Sequence, residues 1–235
     1  MKNKFIKSTI ILIIGGGITK LLAMVIKIFL TRAIGDNGIG LYMMVLPTFN
    51  LFITLCSLSL STSISKLISE KRNAKRIILS IVPISLVYNF ILMFILILFS
   101  SFIANNLLKN SLTYYPIMAI AFTLPFICLS SILKGYFYGN ENMMPFVISN
   151  IVEQIIRLLL IIFMIPKLMV FGVSTAVCGV VLVNVVSEIA SIICLILFIP
   201  NKCINVSDFK YDKIIMKDIL DISFMYWVLI WGHIF

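Results

Sequence analysis

The sequence predicts an all-α fold: a polytopic bundle of transmembrane helices with six full spans and a partial seventh. Three observations carry this. Of the 235 residues, 61% are apolar and only 12% charged, and the mean hydropathy of +1.15 lies far above that of soluble domains. The apolar residues fall in runs of membrane-crossing length, separated by short polar turns. The basic residues are unevenly shared among those turns, so the net charge of +10 reads as membrane orientation, and no nucleic-acid partner is expected.

Span 1 is expected over about residues 8–30. MKNKFIK before an apolar run resembles a signal peptide, but no convincing small-residue cleavage site follows and Lys20 interrupts the run, so an uncleaved first span is predicted. Gly15, Gly16 and Gly17 are small enough to let another helix approach. The glycine-punctuated stretch 31–42 predicts a tight turn. Span 2, about 41–64, carries Asn50, Thr54, Ser57 and Ser61 at helical spacing, a stripe that more often joins helices than contacts a substrate. Span 3, about 77–100, is mostly Ile, Leu and Phe, with Pro83 and Asn89 as its kinking and polar points. Span 4 is expected over about 114–134. Span 5 runs from Pro145, where a proline's missing N–H costs least, to about Ile165, with Pro166 as its stop. Span 6 covers about 171–199.

With the N-terminus cytoplasmic, the loops on that side collect 13 of the 19 basic residues, from Lys2 through Lys66, Arg72 and Lys134 to Lys217. The opposite side has Arg32, Lys109 and Lys167, and three more lie inside spans. That bias predicts a multi-pass protein of the cytoplasmic membrane with its N-terminus inside. The loops are too short for a soluble catalytic domain. The five cysteines show no metal-ligand spacing and read as small core residues, so no metal or cofactor is expected.

Charged residues inside these runs are the candidate functional groups, because an ionised side chain in hydrocarbon must pair or face a polar path. Span 5 places Asn150, Glu153, Gln154 and Arg157 at i, i+3, i+4 and i+7, one polar stripe. Lys20 and Lys27 stand seven residues apart on span 1, and Glu188 lies midway along span 6. Glu153 and Arg157 could simply satisfy each other as an i, i+4 pair. Alternatively these residues line a central cavity, in which three cations against two carboxylates leave a net charge of +1, suited to an anion.

Several motifs resemble a known family. Lys134-Gly135-Tyr136-Phe137, then Gly139, Met143 or Met144, Pro145, Ser149, Glu153, Gln154 and Arg157 follow a pattern of the stage V sporulation protein B-like polysaccharide flippases. These belong to the multidrug/oligosaccharidyl-lipid/polysaccharide exporter superfamily. Thr19, Lys20 and Lys27 match a second motif, with Ala23 where the family usually has Gly. Gly35, Asp36, Gly38, Gly40, Leu41 and Tyr42 match a third, and residues 64–70 a fourth. The resemblance implies one lobe of a two-lobe transporter working by alternating access. It implies a lipid-linked saccharide, a polyprenyl-diphosphate sugar, as substrate for cell-wall or spore-cortex polysaccharide. A second lobe or a partner chain would complete the cavity.

Two other readings stand beside this one. A cation-coupled multidrug exporter of the same superfamily would want excess acid in its cavity, yet span 1 has two lysines and no carboxylate. A non-transporting fragment is the other. Residues 1–200 are expected to form the six-helix lobe, 201–217 a cytoplasmic linker and 218–235 a truncated or aberrant start of span 7. Both tryptophans and the single histidine fall after Phe224, an abrupt change that suggests a frameshift or premature stop. No nucleophile–base constellation points to an enzyme.

Overall fold

A computed structural model describes residues 2–57, 60–70 and 74–199. Among them every regular element is helical: α1 (Lys2–Ser57), α2 (Leu60–Ser69), α3 (Ala74–Phe102), α4 (Tyr114–Gly139), α5 (Met143–Met169) and α6 (Val173–Leu197), with a π turn and a short 3₁₀ turn between α3 and α4. The expected linker 201–217, the segment 218–235 and Cys203 lie outside the described residues.

Five stretches are long and apolar enough to cross a membrane: Ile6–Ser69, Ile77–Leu107, Ser111–Gly139, Met143–Met169 and Val173–Leu197. The first has 64 residues, about 96 Å at helical rise and far beyond one crossing. It is interrupted at Gly35, whose φ of 68° and ψ of −178° are not helical. That conformation is open essentially to glycine alone. The tight turn expected within 31–42 is present as a break at one residue, with helix continuing on both sides. Gly172, at φ 115° and ψ 163°, uses the same freedom between α5 and α6.

Contacts sort the turns into two ends. At one, the Ser8 hydroxyl donates to the Glu141 carbonyl at 3.0 Å, joining the start of α1 to the α4–α5 turn. At the other, the Ser174 hydroxyl donates to the Leu112 carbonyl at 2.6 Å, and Gly38 lies against Val173. Turns expected on opposite sides of a membrane thus occupy opposite ends of the bundle.

Helix α3 shows how the chain is turned outward. Val87, Ile91, Phe94 and Leu98 form an exposed apolar stripe, while Ile81, Ser85, Asn89, Leu96 and Ser100 face inward and are buried. The polar side chains are inside and the phenylalanines outside, the inverse of a water-soluble helix and the arrangement hydrocarbon selects. Asn89 Nδ2 donates to the Ser85 carbonyl at 2.8 Å and the Cys56 carbonyl at 3.4 Å, fastening α3 to α1. The Cys56 thiol donates to the Leu124 carbonyl at 3.1 Å, so this cysteine serves as a small core residue.

Helix α4 is the central one, packed against α1, α2, α3 and α6. It extends five residues beyond the expected limit of 134, because Gly135 and Gly139 let α2 lie directly on it. A Cβ on Gly135 would come within 2.8 Å of the Ser61 carbonyl oxygen, and one on Gly139 within 2.6 Å of Ile68 Cβ. The spacing is that of a small-xxx-small contact. Gly139 thus serves helix packing, and the turn itself is made by Asn140, Glu141 and Asn142. Pro166 also departs from expectation: α5 continues past it to Met169. A proline this close to a helix end removes one backbone bond without ending the helix.

Gly139→Ala is expected to destabilise the bundle by about 1–3 kcal/mol through overpacking. Gly17 has no atom within 4 Å of its would-be Cβ. Gly17→Ala should accordingly be neutral or stabilising by up to about 1 kcal/mol. Reversible unfolding in mixed micelles of rising denaturing-detergent content compares the two, and equal effects would remove the close-packing role of Gly139.

Candidate functional site

The polar stripe of α5 meets α4 and α6 in a buried ionic cluster. Glu153 is 6% exposed. Its Oε1 accepts from Arg157 Nη2 at 2.8 Å, the i, i+4 pair expected from spacing, and its Oε2 accepts from Lys134 Nζ at 3.2 Å. Arg157 also donates to the Ser187 hydroxyl, from Nη2 at 3.3 Å and Nε at 3.4 Å. Ser187 in turn donates to the Asn184 carbonyl at 3.0 Å. One carboxylate therefore gathers a cation from α4 and another from its own helix, and the second cation reaches α6. Charge-assisted bonds of this kind are the strong ones where water is scarce.

Glu188 stands on α6 beside this cluster. Ser130 lies next to its carboxyl group, and Lys134, Glu153 and Arg157 are close enough to act on it electrostatically. Its Oε2 is buried without a hydrogen-bond partner. Lys134 and Arg157 balance Glu153 and Glu188, so the four groups together are formally neutral.

Next to the cluster a cleft of about 330 Å³ opens between the two limbs of α1, α5 and α6. Its polar lining is Lys27, Tyr42, Gln154, Arg157 and Asn184. Gln154 Oε1 is buried there without a partner. Glu153 lies about 15 Å and Arg157 about 21 Å along α5 from its start, near the middle of a membrane-length helix. Adjacent stripe positions differ by about 100°, and that divides the stripe: Glu153 turns toward α4 and α6, while Gln154 and Arg157 turn toward α1. Arg157 belongs to both environments.

Not every expected residue converges. Lys27 is exposed and reaches the cleft; Lys20, also exposed, stands seven residues earlier on the same limb and lines no part of the cleft. Asn150 is half-buried and borders neither the ion pairs nor the cleft. On the α1 stripe, the Thr54 hydroxyl donates to the Asn50 carbonyl at 2.8 Å and Ser57 to the Thr54 carbonyl at 3.3 Å, so both are satisfied within their own helix.

The main correction concerns Lys134. Counted by sequence as a cytoplasmic loop residue, it belongs to α4 and holds Glu153. It leaves the cytoplasmic tally, which stays strongly one-sided. Sequence reasoning also passed over Ser187 and assigned Tyr42 no place in the cavity. The available signal for Lys134 was its position immediately before Gly135, well inside the apolar run that feeds α4. A lysine five residues from a helix end is usually free to reach water; only the tertiary position of Glu153 shows that this one is held inward.

Fold and site together define a polytopic helical membrane protein with a charged cleft at mid-depth. The chain belongs to the polysaccharide biosynthesis protein family, which it matches over residues 5–233. That match continues through the compositionally distinct stretch after Phe224. The chain is 36% identical over 220 residues to stage V sporulation protein B of Bacillus subtilis (strain 168), covering 91% of this chain and 40% of that relative. It is 26% identical over 194 residues to lipid II flippase MurJ of the same organism, covering 75% of this chain and 36% of the relative. The chain thus spans well under half the length of these curated relatives. Its fold resembles the crystal structure of MATE in complex with MaD3S, with a TM-score of 0.73 at 18% identity over 94% of this chain and 52% of that one. It also resembles the outward-facing conformation of a multidrug resistance MATE family transporter of the MOP superfamily, with a TM-score of 0.71 at 16% identity over 94% and 51%.

Removing Glu153 alone strands two cations, so Glu153→Gln is expected to destabilise the chain by about 3–5 kcal/mol. Lys134→Met or Arg157→Met should each have a smaller effect, because the other cation still compensates the carboxylate. Double-mutant cycles read by unfolding in mixed micelles test this, and the two cations should prove non-additive.

Proposed function

We propose that this chain forms one lobe of a flippase that carries a lipid-linked saccharide, a polyprenyl-diphosphate sugar, across the cytoplasmic membrane by alternating access. The observation that carries the reading is the cleft at mid-depth in which Lys27 and Arg157 stand beside the uncharged polar groups of Tyr42, Gln154 and Asn184. Family membership and the similarity to proteins named a lipid II flippase and a sporulation protein support it. They also support a role in supplying cell-wall or spore-cortex polysaccharide.

The chemistry follows from what must cross. The isoprenoid tail remains in the hydrocarbon, and only the headgroup has to leave water. A diphosphate is costly to desolvate, and fixed cations in a recess of low dielectric offset part of that cost. Gln154, Asn184 and the Tyr42 hydroxyl can supply or accept hydrogen bonds where the headgroup is polar but uncharged. Lys20, one step along the same limb, extends the basic face toward the end that holds the N-terminus. A second lobe, in the same or a partner chain, supplies the opposite wall, and rocking of the lobes exposes the cleft to each side in turn.

In this reading the first 64-residue stretch crosses twice, with the Gly35 break at the outer surface, so the described residues make six crossings. The N-terminus is cytoplasmic, and the end bearing the α2–α3 and α4–α5 turns faces the cytoplasm, as the basic bias favours. A multidrug exporter of organic cations fits less well. The distant fold likeness extends to that class, but the cleft's cations, Lys27 and Arg157, with no carboxylate in its described lining, would repel a cationic substrate.

Transport by the complete two-lobe protein should fall about tenfold or more in Lys27→Ala and in Arg157→Ala, groups at membrane depth with no equivalent substitute. It should change less than about twofold in Ser57→Ala, whose hydroxyl is satisfied locally. Complementation of a flippase-deficient strain, normalised to membrane levels of each variant, is the measurement. Full activity in Lys27→Ala would exclude that side chain from the headgroup path.

A further inference from the structure

A second polar recess lies at the end of the bundle where α2, α4 and the start of α5 meet. It measures about 330 Å³ and is lined by Ser61, Thr62 and Ser65 of α2, by Ser131, Lys134 and Tyr138 of α4, and by Phe146 of α5. That volume lies within the usual range for small-molecule sites. Positions 61, 62 and 65 share one helical face, and the close approach at Gly135 and Gly139 brings that face onto α4. Among the described residues, the Ser61, Thr62, Ser65 and Ser131 hydroxyls are bonded to no other protein group, unlike those of Thr54 and Ser57. Tyr138 and Phe146 pack edge to face with ring centroids 4.7 Å apart, forming an aromatic wall.

The charge at this recess decides what it can hold. Among the described residues Lys134 is the one cation lining it, and that ammonium already donates to Glu153. Behind it stand Arg157, Glu153 and Glu188, and with both carboxyls ionised the formal charges of the cluster sum to zero. An anion would find little net attraction, whereas a ring with many hydroxyls would find four free hydroxyls, the remaining ammonium protons and an aromatic face. We propose that this recess binds a neutral pyranose ring, as a subsite separate from the cleft that holds Lys27. The proposal rests on the flippase reading for its biological meaning: the subsite would take a sugar of the headgroup, while the diphosphate faces the cleft. Glu153 divides the two sites, with Oε2 on the recess cation Lys134 and Oε1 on the cleft cation Arg157.

The test uses the 235-residue chain in lipid nanodiscs and does not require transport. Saturation-transfer NMR with N-acetylglucosamine should show transfer from protein to the sugar ring protons. Thr62→Leu and Ser131→Leu fill the recess from two helices and should each weaken binding about tenfold, as expected when hydrogen bonds are lost and their space is occupied. Thr62 is exposed, so its variant is expected to fold even if the Ser131 variant does not, and thermal melting checks both. Lys27→Ala should leave sugar binding unchanged. Absence of transfer in the unmodified chain, transfer unaffected by Thr62→Leu, or loss in Lys27→Ala would each overturn the proposal. So would phosphorus line-broadening of inorganic pyrophosphate that Thr62→Leu abolishes, since that marks an anion site. None of these outcomes touches the flippase reading, which stands or falls with the dependence of transport on Lys27 and Arg157.

Discussion

A carboxylate buried among membrane-spanning helices has to be compensated, and Glu153 is compensated twice. The Lys134 bridge fixes the position of α4 relative to α5, two helices joined by a short turn that otherwise touch little. The Arg157 bridge fixes the guanidinium, which then reaches the Ser187 hydroxyl on α6. Three helices are thereby registered by one acidic group. The bundle has two apolar clusters, one around α4 and one around α1, α5 and α6, which adjoin on α6 at Val180, Val181 and Val183. Replacing such a knot with hydrocarbon often leaves stability unchanged or raises it, so its retention is better explained by the orientation it imposes on Arg157 than by stability.

The glycines of α4 sit directly after the lysine of that knot. Gly135 and Gly139 let α2 settle against α4, with the Ser61 and Ser65 backbone carbonyls beside them. A larger residue at either position would push α2 outward and widen the recess that Lys134 borders. Packing and chemistry are therefore coupled in residues 134–139, where the lysine serves the ionic cluster and the glycines one turn further serve the helix contact.

Much of this was legible in the sequence. The membrane class follows from composition, and the turns fall at the expected ends of the bundle because hydrocarbon thickness sets helix length. The Glu153–Arg157 pair follows from four-residue spacing on one helix, a local relation that periodicity captures. Helix ends were less legible. The sequence places Gly35 only within a twelve-residue stretch and marks Pro166 as a stop, because glycine and proline signal a break without stating how much backbone it consumes. Lys134–Glu153 was not legible at all, since it joins residues nineteen apart on different helices and depends on how α4 and α5 cross. The same holds for the division of the stripe. Spacing placed Asn150, Glu153, Gln154 and Arg157 together, but only the positions of α1 and α4 decide which of them meet a cation and which meet a cleft.

The separation of charge into two environments bears on how a lipid-linked sugar could be handled. A diphosphate and a sugar make opposite demands: the first needs net positive charge, the second needs hydroxyl partners and no strong field. A single cavity with pooled cations would hold the diphosphate tightly and release it slowly. Here the cations are unequal. Lys27 has no ion-pair partner among the described residues, Arg157 is shared with Glu153 and Ser187, and Lys134 is held by Glu153. The attraction for an anion is thus graded from the α1 side of the bundle to the α4 side, falling toward zero where the free hydroxyls of α2 and α4 begin. A headgroup with charge at one end and sugar at the other can lie along that gradient in one orientation only. On the proposed flippase reading, such a gradient would select orientation without tight binding, as a carrier that must also let go requires.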